Sequence, residues 1–282
     1  MNKLPIEKRK MMFACIAEGN SLRATSRLCD VAFNTVLKFF GDLGRAVEAY
    51  QDEKLQGLSC ERIQLDELHS FVGARQRATT AETRANKWGD TWVWIAMDAD
   101  TKLVPCWHVG KREFSDANGF VQDLASRLNS RPQITTDGHN GYLSAIEAAF
   151  GDEVDYAMLI KQYSQQSEQA QGRYAPAHCT GAKRTPITGE PDMAHVSTSY
   201  IERLNLSLRM RNRRFTRLTN GFSKKQENHA LSLAIQFMHY NFCRIHTSLR
   251  VTPAMEAGVT DHVWELEEVI ALMDEKTIKE TV

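Results

Sequence analysis

Residues Glu61 to Gly73 read ERIQLDELHSFVG, an apolar run with a carboxylate at its centre. Ile63, Leu65 and Glu67 alternate with Gln64, Asp66 and Leu68, roughly the period of a β-strand. Asp66 within a strand is a fixed group, whereas an aspartate at a strand end serves a turn or a cap. The same alternation sends Glu67 to the opposite face, out of any ligand set that Asp66 joins. Two more acids sit in short structured settings far along the chain, Asp137 in ITTDGHNGY and Glu202 in SYIERLNLSLRMRNRR. Brought together, the three would offer hard oxygen donors to divalent metal ions.

Outward from this strand, TWVWIAMD at Thr91–Asp98 alternates bulky apolar residues and predicts a second strand. Asp98–Thr101 turns the chain, and Leu103–Val109 returns antiparallel. A helix from Ser115 carries Phe120, Leu124 and Leu128 on one side and stops at Asn129–Pro132. Gln133–Thr136 is a short strand ending at Asp137, Asn140–Phe150 a helix and Val154–Leu159 a further strand. The order predicts an α/β fold, a mixed sheet with helices against its faces, as in a ribonuclease H-like core. In that topology the ends of the first and fourth strands adjoin, which makes Asp66 and Asp137 neighbours.

Upstream, residues 7–18 predict a helix, and Ser21 caps a second one over Leu22–Leu28. A turn at Cys29–Val31 leads to a third from Ala32 through Phe40 and beyond. Two short helices joined so tightly after a preceding one fit a helix-turn-helix, with Ala24, Leu28, Val31, Val36 and Leu37 as its small core. A plain three-helix cap fits the same pattern. On the first reading Asn34, Thr35 and Lys38 face outward from the second helix of the motif, where Asn34 can read an adenine edge and Arg23, Arg27 and Lys38 can meet phosphates.

The formal net charge is zero, yet charge is unevenly spread. Between Arg203 and Arg250 stand Arg203, Arg209, Arg211, Arg213, Arg214, Arg217, Lys224, Lys225, Arg244 and Arg250, opposed only by Glu227. Such density suits a phosphate backbone. Arg75 and Arg77 lie just past the first strand, in a loop or at one edge of a DNA-facing surface. The polar stretch from Lys161 to Met193 has little periodicity and predicts a long loop. Its Lys161, Arg173, His178, Lys183 and Arg184 make it a candidate DNA-contacting flap. In the helix after it, Ile201, Leu204 and Leu208 form the apolar side, while Glu202, Asn205, Arg209 and Arg213 share the other.

The six cysteines form no CxxC pair, which argues against a zinc ribbon or a disulfide scaffold. No apolar run reaches the roughly 20 residues of a membrane span, and no signal-peptide core opens the chain. The expectation is a cytoplasmic protein with no membrane partner.

The chain resembles the transposases of bacterial insertion sequences of the insertion-element-one type. The resemblance rests on GNSLRATSRLCDVAFNTVLKF at Gly19–Phe39, LDELHSFVGARQR at Leu65–Arg77, TTDGHNGY at Thr135–Tyr142, YIERLNLSLRMRNRR at Tyr200–Arg214 and RIHTSLRVTPAMEAG at Arg244–Gly258. It implies an all-helical helix-turn-helix domain with connector over residues 1–56 and a ribonuclease H-like DDE catalytic domain over 57–250 with a polar insertion around 161–194. A helical segment over 251–282 follows. The family's acidic triad falls on Asp66, Asp137 and Glu202. Many relatives begin with a cysteine-rich zinc ribbon, which this sequence lacks.

A transposase of this kind cleaves at element ends and transfers 3′-OH ends into target DNA. Three carboxylates suit two Mg²⁺ ions, for which Mn²⁺ substitutes, about 3.5–4 Å apart. Lys161, Arg209 and Arg213 are the preferred DNA contacts near the acids, with Arg214 beside them. His139 orients water or phosphate, or packs the turn. Joining two ends of double-stranded DNA calls for a homo-oligomer, at least a dimer. A catalytically idle DNA-binding regulator and a ribonuclease H-like nuclease are the alternatives.

Overall fold

The computed structural model describes residues 4–163 and 179–279. An N-terminal helical region precedes a mixed α/β core. Strand β1 (Arg62–Val72) pairs antiparallel with β2 (Gly89–Asp98), which pairs antiparallel with β3 (Trp107–Gly110). On the other side of β1, β4 (Gln133–Thr136) and then β5 (Asp155–Tyr163) add in parallel. Helix α5 (Phe114–Arg127) leads into β4 and α6 (Gly141–Phe150) connects β4 to β5, the helical crossovers that parallel strands require. The sheet order is β3-β2-β1-β4-β5-β6, broadly consistent with a ribonuclease H-like fold.

The sixth strand corrects the expectation of an unbroken loop from Lys161 to Met193. Cys179–Thr188 forms β6, antiparallel on the outer edge of β5. Most of its side chains are exposed, so no apolar alternation marks it in the sequence. Arg173 and His178 lie outside the described residues. The return strand after β2 is shorter than expected: only Trp107–Gly110 is laddered, although Asp98 N–H donates to Leu103 O and Ala96 N–H to Cys106 O.

Strand alternation builds a core on each face of the sheet. Ile63, Leu65, Trp94 and Ala96 point to one face with Phe120, Leu124, Tyr142 and Ile146 of α5 and α6. Leu68, Val93, Ile95 and Met97 point to the other, against Ile201, Leu204 and Leu208 of α7 (Ser199–Arg211) and Leu233 and Phe237 of α8 (Gln226–Met238). Glu67 therefore belongs to the first face and Asp66 to the second.

The N-terminal helices are α1 (Ile6–Ala17), α2 (Leu22–Leu28) and α3 (Phe33–Lys54). Ser21 Oγ accepts from Ala24 N–H and starts α2, and Asp30 at φ 48° reverses the chain before α3. Leu28 and Leu37, expected in the core, are 54% and 37% exposed. Met12, Phe13, Thr25, Cys29, Val36 and Phe39 fill that core instead, on the helix faces turned inward. α3 continues well past the turn motif and lies against α8, where Gln51 Nε2 donates to Ala234 O. Gly44 is the point of close approach, since a Cβ there would sit 2.7 Å from Leu231 Cβ. Gly44→Leu is expected to lower unfolding free energy by about 2 kcal/mol, as overpacking exceeds the gain in helix propensity. Urea denaturation checks it; unchanged stability would mean that α3 and α8 separate freely.

Short elements complete the chain. Arg75 and Arg77 sit exposed at a 3₁₀ turn, Gln76–Ala78, followed by α4 (Ala81–Ala85). After α8 come a π-helical turn at His239–Cys243, α9 (Pro253–Glu256) and α10 (Leu266–Lys279). Among the described residues no helix is long and apolar enough to cross a membrane.

Candidate active site

β1 and β4 are paired only from Arg62–Gln64 against Gln133–Thr135. Beyond Gln64 the β4 side of β1 is open, and Asp137 follows β4 directly into that gap. Carboxylates from both faces of β1 reach round this edge. Ligand oxygens of Asp66, Glu67 and Asp137 all lie within 4.8 Å of one another. The expectation that Glu67 points away is thus corrected: it does start on the other face, but an unpaired strand edge does not separate the two faces.

Each acid is held in place. Asp66 Oδ1 accepts from Glu67 N–H at 2.9 Å, and Oδ2 accepts from Asn205 Nδ2 at 2.7 Å. Glu67 accepts from Arg112 Nε at 2.8 Å and from the Tyr142 hydroxyl at 3.2 Å. Asp137 Oδ1 accepts from His139 N–H at 2.9 Å. Burial, then the charge of Asp137, pushes the Asp66 carboxyl up to about 6, with Glu202 adding to it. Burial and Asp137 push Glu67 up to about 7, against the opposing pull of Arg112.

Gln64, which sequence reasoning passed over, and Asn205, read there only as sharing a helix face with Glu202, fix Asp66 to α7. Gln64 Oε1 accepts from the N–H groups of Tyr200 and Ile201, both at 3.0 Å, and so satisfies the open donors at the start of α7. One turn along, Asn205 reaches Asp66. The one available signal was polarity at Gln64 and Asp66 on the same strand face as Leu68, which packs against α7. Asn205→Ala is expected to weaken Mn²⁺ binding about 10- to 100-fold by freeing the ligand's orientation. Calorimetric titration measures this; wild-type affinity would mean that Asp66 is positioned without it.

Glu202 stands outside the acid group. Its Oε1 is bound by Lys161 Nζ and by Thr198 Oγ1, the latter at 2.5 Å. It lies one turn of α7 before Asn205 and is felt electrostatically by Asp66. Lys161 is accordingly an ion-pair partner of Glu202 in this state. His139 Nδ1 accepts from Gly141 N–H at 2.8 Å, which leaves the neutral ring's proton on Nε2, 3.9 Å from Glu67. Burial and Arg112 lower its pKa. The ring also packs edge-on against Trp94 and Tyr142, so the turn-packing role is real.

The basic residues divide. Arg23, Arg27, Asn34, Thr35 and Lys38 are exposed at α2 and the start of α3, with Lys38 paired to Asp42. Lys183 and Arg184 are exposed on β6. Arg209 is half-buried on α7, and desolvation followed by Arg217 lowers its pKa. Arg211 pairs with Glu18. Arg213 lies past the end of α7, in a 3₁₀ turn, and not on the helix face shared by Glu202 and Asn205. Arg214 is turned inward over the Phe40 ring at 4.7 Å.

The donor set suits a divalent cation: three carboxylates lie within reach of one point, and burial and the charge of Asp137 make Asp66 and Glu67 resist ionisation. Asp66 and Asp137 are the residues best placed to hold one such ion, with Glu67 as the third donor.

No family model matches the chain, and no curated protein matches its sequence. Among solved structures it has a weak resemblance to a DNA transposase. That structure is the cryo-EM piggyBac transposase synaptic complex with hairpin DNA, at 9% identity and a TM-score of 0.42, covering 96% of this chain and 72% of that one.

Proposed function

We propose that the protein is a DDE-type DNA transposase of an insertion sequence, which cleaves DNA at element ends and transfers 3′-OH ends into target DNA. The observation that carries this reading is the convergence of Asp66, Glu67 and Asp137 within 4.8 Å at the open edge of β1. Residues 57–250 form the ribonuclease H-like catalytic domain, residues 1–56 the helix-turn-helix that recognises ends, and 251–282 a helical segment.

Mg²⁺ or Mn²⁺, bound as a pair, would supply Lewis-acid polarisation of the phosphodiester and a nucleophilic water or 3′-hydroxyl at neutral pH. Asp66 and Asp137 would hold the first ion and Glu202 the second, with Lys161 released from Glu202 to a DNA phosphate. Asn205 and Gln64 keep α7 in register with β1 while this exchange occurs. Arg112 and Tyr142 hold Glu67, so its charge stays within the site without wandering into the phosphate's path. Lys161 and Arg209 meet the DNA backbone beside the acids. Two protomers at least bring two ends together.

A specific observation favours a second reading. Glu202 is committed to Lys161 and Thr198, as in a catalytically idle DNA-binding regulator. Incubating the protein with Mg²⁺, labelled element ends and a target plasmid separates the two. Joined products support transposition, cleavage without joining supports a nuclease, and specific binding without either supports the regulator.

A further inference from the structure

The turn between α1 and α2, the start of α3, the segment Asn212–Gly221 and the inner side of α8 enclose a cavity of about 350 Å³. Its lining includes Arg23, Arg213 and Arg214 with Asn20, Asn220 and Gln236, and no carboxylate. Nearby cations are neutralised within the protein: Arg211 by Glu18, Lys38 by Asp42, and Arg45 by Asp42 and Glu227. Arg214 has no acidic partner among the described residues. It lies over Phe40 and donates to Ser223 Oγ at 2.9 Å. Desolvation alone lowers its pKa to about 10.

The wall behind Ser223 offers no anion either. His229 is fully buried with Nδ1 3.1 Å from Ser223 Oγ, and its Nε2 has no hydrogen-bond partner. Burial, then Arg214, pushes its pKa down to about 3, so the ring is neutral. A guanidinium has five donors and Ser223 takes one. Burying such a cation without a counter-ion is costly unless an anion arrives from outside.

We propose that this cavity is a phosphate-binding site, in which Arg213 and Arg214 present forked donors, Arg23 closes from α2, and the group bound is a phosphodiester of the DNA backbone. The proposal rests on the DNA-binding reading given above and adds a defined subsite to it. DNA is favoured over a free anion because Arg23 both lines the cavity and is exposed on α2, one helical turn from the exposed Arg27, which joins the cavity to a basic outer surface. A phosphate held there would bridge the N-terminal helices to the end of α7, the helix that carries Asn205 and Glu202. Binding by the N-terminal region would then bear directly on the acid cluster.

The test measures binding of the full chain to a fluorescent DNA duplex across a range of salt concentrations. Arg213→Gln is expected to weaken binding about tenfold and to reduce the slope of log affinity against log salt by about one, the signature of one lost phosphate contact. Asn20→Phe, which fills the cavity without changing charge, is expected to do the same. Lys54→Gln, at an exposed pair with Glu53 away from the cavity, serves as the control. Arg214→Met is expected to leave the melting temperature of the free protein at or above wild type while weakening DNA binding. A lower melting temperature with unchanged DNA affinity would make Arg214 a packing residue and overturn the site. Wild-type affinity and slope in both Arg213→Gln and Asn20→Phe would overturn the subsite and leave the proposed function standing. Phosphorus NMR titration with inorganic phosphate separates the remaining case. Phosphate binding by a protein that binds no duplex would overturn the DNA source, and the proposed function with it.

Discussion

Asp66→Asn is expected to reduce Mg²⁺-dependent DNA cleavage by at least about a thousandfold, or about 4 kcal/mol of transition-state stabilisation, with duplex binding retained. Asp66 lies between Asp137 and Asn205, and both its oxygens are already oriented, by Glu67 N–H and by Asn205. An amide in its place keeps the shape but removes the charge on which a hard cation depends. Asp137→Asn should fall as far, since Asp137 is the acid that approaches β1 from the end of β4. Loss of activity through unfolding is excluded by the same variants: each relieves the repulsion among Asp66, Glu67 and Asp137, so the metal-free protein should melt at or above the wild-type temperature. Gel-based cleavage and thermal melts on one preparation give both readings. Residual cleavage within tenfold of wild type would place the chemistry elsewhere.

The second large effect is on stability, and its sign follows from the raised carboxyls. Asp66 titrates at about 6 and Glu67 at about 7 in the folded protein, both above their unfolded values. The folded state therefore holds more protons between pH 4 and 7. Stability from this source is fully present below about pH 4 and is lost as pH rises through 6 and 7. The loss amounts to about 6 kcal/mol for the two groups together, or about 10 °C in melting temperature. A divalent cation should restore it at pH 8, because it binds the ionised form and only the folded chain gathers the acids. Scanning calorimetry at pH 5, 6, 7 and 8 with EDTA or with Mn²⁺ tests both halves. A melting temperature that rises with pH in EDTA and ignores Mn²⁺ would contradict the assignment.

The sheet was legible where burial is one-sided or complete. TWVWIAMD and the run around Asp66 alternate because each face of β1 and β2 meets a different set of helices. β6 was not legible, because an edge strand with both faces wet leaves no apolar trace in CTGAKRTPIT. Leu28 and Leu37 were assigned inward on hydrophobicity, yet the direction of a helix face is set by its partner α1. Of the candidate site, Asp66 and Asp137 were readable as acids at strand positions. Glu67 was not, since alternation places it correctly on the far face but says nothing of where the neighbouring strand stops pairing. Gln64 and Asn205 act through contacts about 136 residues or more apart in sequence, and local pattern carries no sign of those. Glu202 was readable as an acid on α7, but its present partner Lys161 comes from β5.

The most direct measurement is an anomalous difference map from crystals of the protein soaked in Mn²⁺. A peak coordinated by carboxylate oxygens of Asp66 and Asp137, absent in Asp66→Asn crystals, is the expected result. Crystals fully exposed to Mn²⁺ that show no ion between those two side chains would contradict the metal-dependent chemistry proposed for this protein.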